Sequence, residues 1–156
     1  MTQKKEHKHR VEITNRKARF NYILLDFFTA GIALTGTEIK SVREGKASLV
    51  DSFCYIDHNG EVWLKNSYVA KYDHGTYLNH EERRLRKLLL TKKEIKQIKK
   101  AVEQPFTTCV PLKMFINNRG LCKVEIAIGR GKKLYDKRQT IKEREAKIEM
   151  SRIRKR

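Results

Sequence analysis

The chain has 156 residues, enough for one domain around a single core, and its 36 lysines and arginines against 18 acids leave a formal charge of +18. With 39% hydrophobic residues and no window near the roughly 18 apolar residues of a membrane span, the composition excludes a membrane protein and fits one domain diluted by basic ends. The sign of the charge points to a polyanionic partner, nucleic acid first.

Cys54, Cys109 and Cys122 are odd in number, widely spaced and set in apolar runs, which argues against both a disulfide framework and a metal site. Lys4, Lys5, Lys8 and Arg10 are not followed by an apolar stretch, so no export signal is read. The expected setting is a reducing cytoplasm, for a monomer without cofactor or metal.

Residues 1–14 read as a disordered basic arm, 15–130 as the RNA-binding domain and 131–156 as a basic tail. From Phe20 to Phe28 an aromatic and β-branched run predicts a strand buried on both faces, and 30–34 a second strand. Thr35 and Glu38 have capping-box spacing ahead of a short helix, with Lys40 and Arg43 on its wet side and Gly45 as its stop. Alternation over 48–56 and 61–64 around Asp57-His58-Asn59-Gly60 predicts a hairpin. Residues 69–84 lack a period and read as an exposed loop. Thr91 and Glu94 open a second helix, ended at Pro105, whose lysines 92, 93, 96, 99 and 100 most simply make a solvated face. A further hairpin follows around Asn117-Asn118-Arg119-Gly120.

About six strands, two or three short helices and no βαβ spacing favour a mainly β fold: a small antiparallel barrel of oligonucleotide-binding (OB) type with helices outside. Its basic clusters are Lys17 with Arg19, then Arg83, Arg84, Arg86 and Lys87, and then 132–138. Arginine forks in the middle cluster suit phosphate. Tyr135, between Lys133 and Lys137, has the chemistry to stack on a base and equally to anchor against the barrel. The tail has too little apolar surface to offset its ordering entropy, so it is expected to be loose until a partner holds it. Glu38, Asp51 and Asp57 as a nuclease site, or His58, His74 and His80 as general bases, lack diagnostic spacing, and capping and turn roles explain them better. The chain is therefore read as no enzyme.

Residues 15–19 (Asn-Arg-Lys-Ala-Arg), 30–47 (from Ala-Gly-Ile-Ala-Leu to Glu-Gly-Lys-Ala), 86–90 (Arg-Lys-Leu-Leu-Leu), 131–133 (Gly-Lys-Lys) and 136–138 (Asp-Lys-Arg) together resemble the small protein B (SmpB) family, the SsrA-binding or transfer-messenger RNA-binding proteins of bacteria. The resemblance runs in one register from about residue 15 to the end and implies a barrel that binds the tRNA-like domain of transfer-messenger RNA. Such a protein delivers that RNA to stalled ribosomes for trans-translation, its tail turning helical in the empty message channel at the decoding centre. By position, Asn15, Lys17, Arg19, Lys40, Arg43, Arg86, Lys87 and Leu89 would face the RNA, and Lys132, Lys133, Tyr135, Asp136, Lys137 and Arg138 the ribosome. Another ribosome-associated OB-like RNA binder is the alternative. Two departures stand out: Thr29 where the family usually has Glu, and Pro105-Phe106-Thr107 in place of a glycine and aromatic pair.

Overall fold

The structure, a computed structural model, describes residues 11–75 and 77–154. In chain order the elements are β1 (Glu12–Thr14), α1 (Arg16–Asn21), β2 (Tyr22–Ile32), α2 (Gly36–Arg43), β3 (Ala47–Ser48), β4 (Phe53–Ile56), β5 (Val62–Lys65), β6 (Tyr68–Val69), β7 (Arg86–Leu89), α3 (Lys92–Val102), β8 (Thr107–Ile116), β9 (Cys122–Gly131) and α4 (Leu134–Arg154).

Six strands close into an antiparallel ring, β8-β4-β5-β7-β2-β9 and back to β8, because β8 pairs with β4 on one side and β9 on the other. The seam to β4 is made where Cys54 lies opposite Cys109, and β1 lies along the far stretch of the same edge, Glu12 opposite Phe115. Closure leaves few free edges to template aggregation. β3 and β6 form a separate small ribbon.

The barrel interior is filled by Leu64, Leu88, Met114, Val124, Ile126 and Ile128, with Val42 of α2 and Ile98 of α3 joining the same core. Each such side chain contributes about 1.5–3 kcal/mol by burial. Outside the sheet, Ala18 of α1 packs on Val110, Leu112 and Ala127 in a smaller cluster.

Both hairpins turn the same way. Asp57 Oδ1 accepts from the Asn59 and Glu61 amides, and Asn117 Oδ1 from those of Arg119 and Leu121, while Gly60 and Gly120 take φ of 78° and 79°. Thr91 caps α3 by accepting from the Glu94 amide, as its spacing predicts.

Several expectations are corrected. Residues 22–32 form one strand rather than two, bent by a bulge where Leu24 faces Gly129 and Phe27 faces Ala127, so that Leu25 and Asp26 together oppose Ile128. That strand is not buried on both faces, since Ile23, Leu25 and Phe27 are about half exposed. Glu12–Thr14, read as part of the arm, is paired in the sheet. Residues 69–84 are not simply an exposed loop. His80 is buried, its ring nitrogens bonded to Thr37 Oγ1 (2.8 Å) and the Val69 carbonyl (3.0 Å), and the Asn79 amide bridges to Tyr72. The basic arm over residues 1–10 lies outside the described residues.

Candidate nucleic-acid interface

Two residues expected on the RNA side are interior. Arg86 shares the inward face of β7 with Leu88 and is fully buried. Its Nε donates to Glu38 Oε2, and Nη1 to the carbonyl and hydroxyl of Ser67 (both 2.9 Å) and to the Arg84 carbonyl (3.2 Å). Nη2 donates to the Glu82 carbonyl at 3.2 Å. The fork is fully used in tying α2, β7 and the 66–85 segment together, so the expectation that it reads phosphate is corrected. Arg84, partly exposed, completes the network with Nε 2.9 Å and Nη2 2.7 Å from Glu38 Oε1.

Burial pushes the Glu38 carboxyl upward, but hydrogen bonds and charge from Arg86 and Arg84 outweigh it and hold the group below the usual carboxylate range. The capping box at Thr35 is corrected too: the Thr35 hydroxyl donates to Glu38 Oε1 (3.1 Å), and the carboxylate serves the arginines instead of the helix end. Asn15 is likewise a buried staple. Its Nδ2 donates to the Leu49 (3.1 Å) and Pro111 (3.0 Å) carbonyls, and its Oδ1 caps α1 by accepting from the Ala18 amide.

The exposed members fall into groups. Leu89 is 53% exposed and lies opposite Gly31, where an added Cβ would come within 3.2 Å of the Leu89 Cβ and 3.6 Å of Lys123 Nζ. Leu89 and Lys123 therefore converge over a bare stretch of backbone. Two register steps along, on the same face, Thr29 lies opposite Glu125. On α2, Arg43 is exposed and reaches to within 3.8 Å of where a Cβ on Gly120 would sit, and Lys40 is exposed with Nζ 5.3 Å from the Tyr72 ring. Lys40, Arg43, Leu89 and Lys123 thus line the barrel end beside α2 and the 117–120 turn. Lys123 escapes a reading of the sequence because its only signal is register against Gly31. Lys87 points outward from β7 but is held by Glu61 at 2.8 Å.

Lys17 and Arg19 are exposed on α1, away from that group. Lys17 is 3.8 Å from Asp51, and the Arg19 carbonyl accepts from Lys132 Nζ at 3.4 Å. The structure thus associates Arg19 with the tail. Lys132 also bonds to the Asn21 carbonyl through its amide (2.9 Å) and to Thr140 Oγ1 through Nζ (3.0 Å). Asp136 sits in the first turn of α4, where the helix dipole favours a negative charge, and Lys133 and Arg138 are exposed. Lys137 is half-buried, its amide bonded to the Lys133 carbonyl at 3.2 Å. The side chain of Tyr135 lies outside the described residues.

Glu38, Asp51 and Asp57 have separate occupations rather than a shared site. Asp57 is engaged by its turn and by Trp63 Nε1 (2.8 Å), contacts that hold its carboxyl below its ordinary value. Among the described residues no group of three or more His, Cys, Asp or Glu could hold a metal ion, and no helix is long and apolar enough to cross a membrane.

Comparison with known proteins extends the geometry. The family model for the SmpB protein matches residues 12–156. The SsrA-binding protein of Parabacteroides distasonis is 59% identical over 146 residues, 94% of this chain and 95% of that one. That of Nocardia farcinica is 51% identical over 152 residues, 97% and 94% of the two chains. A chain in a solved structure described as "tmRNA-SmpB: a journey to the center of the bacterial ribosome" superimposes with a TM-score of 0.68 at 46% identity, covering 80% of this chain and 86% of its own. Together with the closed barrel and the helical tail beyond Gly131, these matches show that the chain belongs to the SmpB protein family.

Proposed function

We propose that the protein is a non-catalytic adaptor that binds the tRNA-like domain of transfer-messenger RNA and carries it to stalled ribosomes for trans-translation in the bacterial cytoplasm. The observation that carries this reading is the exposed end of the barrel where Leu89 and Lys123 meet over Gly31, flanked by Arg43 and Lys40. A hydrophobic side chain and cations on a rigid scaffold suit a folded RNA, read through its shape, its phosphates and any base splayed out of its stack. Lys87 adds to that face by exchanging Glu61 for a phosphate. Arg86, Asn15 and Glu38 serve as supports that hold it in shape.

The tail is a second working surface. Its lysines, with Asp136 and Arg138, suit a channel lined by ribosomal RNA, and α4 touches the body chiefly near α1, where Arg144 lies 5.5 Å from the Phe20 ring. The helix frays in the free protein and is held by the ribosome, with Tyr135 stacking on a base there. No bond is made or broken by this protein.

Chemical footprinting of the tRNA-like domain at near-physiological ionic strength tests the reading. Protection within its tRNA-like fold is expected, and an unprotected RNA at saturating protein would overturn it.

A further inference from the structure

The barrel end away from the 117–120 turn carries α3 and features that the proposed RNA face does not use. Lys92, Lys93, Lys96, Lys99 and Lys100 are all exposed, and none appears in an ion pair among the described residues. Five lysines against Glu94 within an 11-residue helix, and Glu103 at its C-cap, leave an excess of positive charge there. Between α3 and the bulge of β2 runs an open groove lined by Asp26, Phe27, Lys100, Ala101 and Gln104, with Phe27 52% exposed at its edge and Asp26 as its one carboxylate.

Phe106, just beyond α3, is 88% exposed at a φ of 61°, a left-handed conformation that a bulky side chain disfavours. Its carbonyl accepts from the Gly131 amide at 3.1 Å, which places it beside the exposed Arg130 and the root of the tail. A large aromatic held out into water in a strained conformation forgoes burial as well as backbone comfort, and such strain gathers at functional positions. An exposed aromatic face beside Arg130, at the barrel end that also carries the α3 lysines, is the chemistry that single-stranded RNA meets: bases stack on the ring while phosphates meet the cations.

We propose that the α3 end of the barrel is a second RNA-binding surface, in which Phe106 stacks an unpaired base and Lys93, Lys96 and Lys100 contact the adjoining phosphates. Phe106 and the turn beside Arg43 sit at opposite ends of the β8–β9 pair, each strand 10 residues long. Both surfaces are therefore free to be occupied at once, one by the tRNA-like fold and one by an unpaired RNA segment near the tail. The inference rests on the RNA-binding function proposed above but not on its RNA-facing residues.

The test uses the full chain saturated with the tRNA-like domain, titrated with a fluorescein-labelled oligouridylate and read by anisotropy. The probe is expected to bind the saturated complex. Phe106→Gly relaxes the backbone and so raises the melting temperature, yet it should weaken the probe by about tenfold or more, while Phe106→Tyr retains binding. Lys93→Ala, Lys96→Ala and Lys100→Ala combined should lower the salt slope by roughly 0.7 for each phosphate no longer neutralised, with affinity for the tRNA-like domain unchanged. A saturated complex that rejects the probe, or variants that bind it like the parent because the surface serves a protein instead, would overturn the proposal. Should the tRNA-like domain itself fail to bind, the adaptor reading falls, while the Phe106 variants of the free protein still judge this surface.

Discussion

Arg86 and Lys87 are sequence neighbours with opposite environments, because a strand sends successive side chains to opposite faces. Arg86 points into the barrel and neutralises Glu38, while Lys87 points out to Glu61. Replacing Arg86 by Ala leaves the Glu38 carboxylate buried without its main partner, a loss of about 3–5 kcal/mol in urea unfolding. Lys87→Ala should barely change stability and instead lower the salt slope of RNA binding by somewhat less than one unit, as measured by filter binding across a salt series. A stable Arg86→Ala protein with a flattened slope would reverse the two assignments. The 83–87 run reads as one basic patch by composition; only its period-two alignment with Leu88 marks Arg86 as interior, and composition is blind to period.

The Glu38 carboxyl also sets a pH dependence. Its folded value lies below the unfolded one, so its contribution is fully present above the unfolded range near pH 4.3 and disappears as pH falls through the lowered folded value. Stability to urea should therefore fall as pH drops below about 5. Asp57, held low first by the Glu61 amide and then by Trp63, acts in the same direction. An unfolding midpoint that stayed constant from about pH 5 to about pH 3 would contradict this network. Thr29 makes a related point across the sheet: a glutamate there would stand directly opposite Glu125, and like charges at paired positions are destabilising.

At the scale of elements, the turns, the capped α3 and the alternating β8 and β9 are legible in the sequence because each is written in local spacing. What local spacing does not contain is partner geometry. The bulge that merges 22–32 into one strand depends on β9, and the burial of His80 depends on Thr37, 43 residues away. α1 escapes detection because six residues carry too little periodicity, its anchor being the single Ala18 against β8 and β9.

α4 illustrates the converse. It has 21 residues, but Ile148, Met150 and Ile153 are more than half exposed and its docking is confined to its first turns. Most helical stability in proteins comes from tertiary packing of an apolar face, which the distal part of α4 does without. In the free protein, hydrogen exchange over 145–154 should show little protection while β2, β8 and β9 stay protected. Equal protection would mean that α4 is a fixed part of the fold.

For the whole molecule, positive charge is distributed over a rigid barrel and a helical extension joined at Gly131. The barrel owes its shape to strand closure and to the Glu38 network, neither of which includes a residue beyond Gly131. Folding therefore belongs to the barrel, and the proposed function assigns recognition of the tRNA-like domain to the barrel and the response to an empty message channel to the extension. Truncation after Gly131 tests this division most directly, with affinity for the tRNA-like domain and tagging on stalled ribosomes measured on the same preparation. The expected result is affinity within about twofold of the full chain, under about half a kcal/mol, with tagging abolished. Parallel loss of both, or tagging that survives, would contradict it.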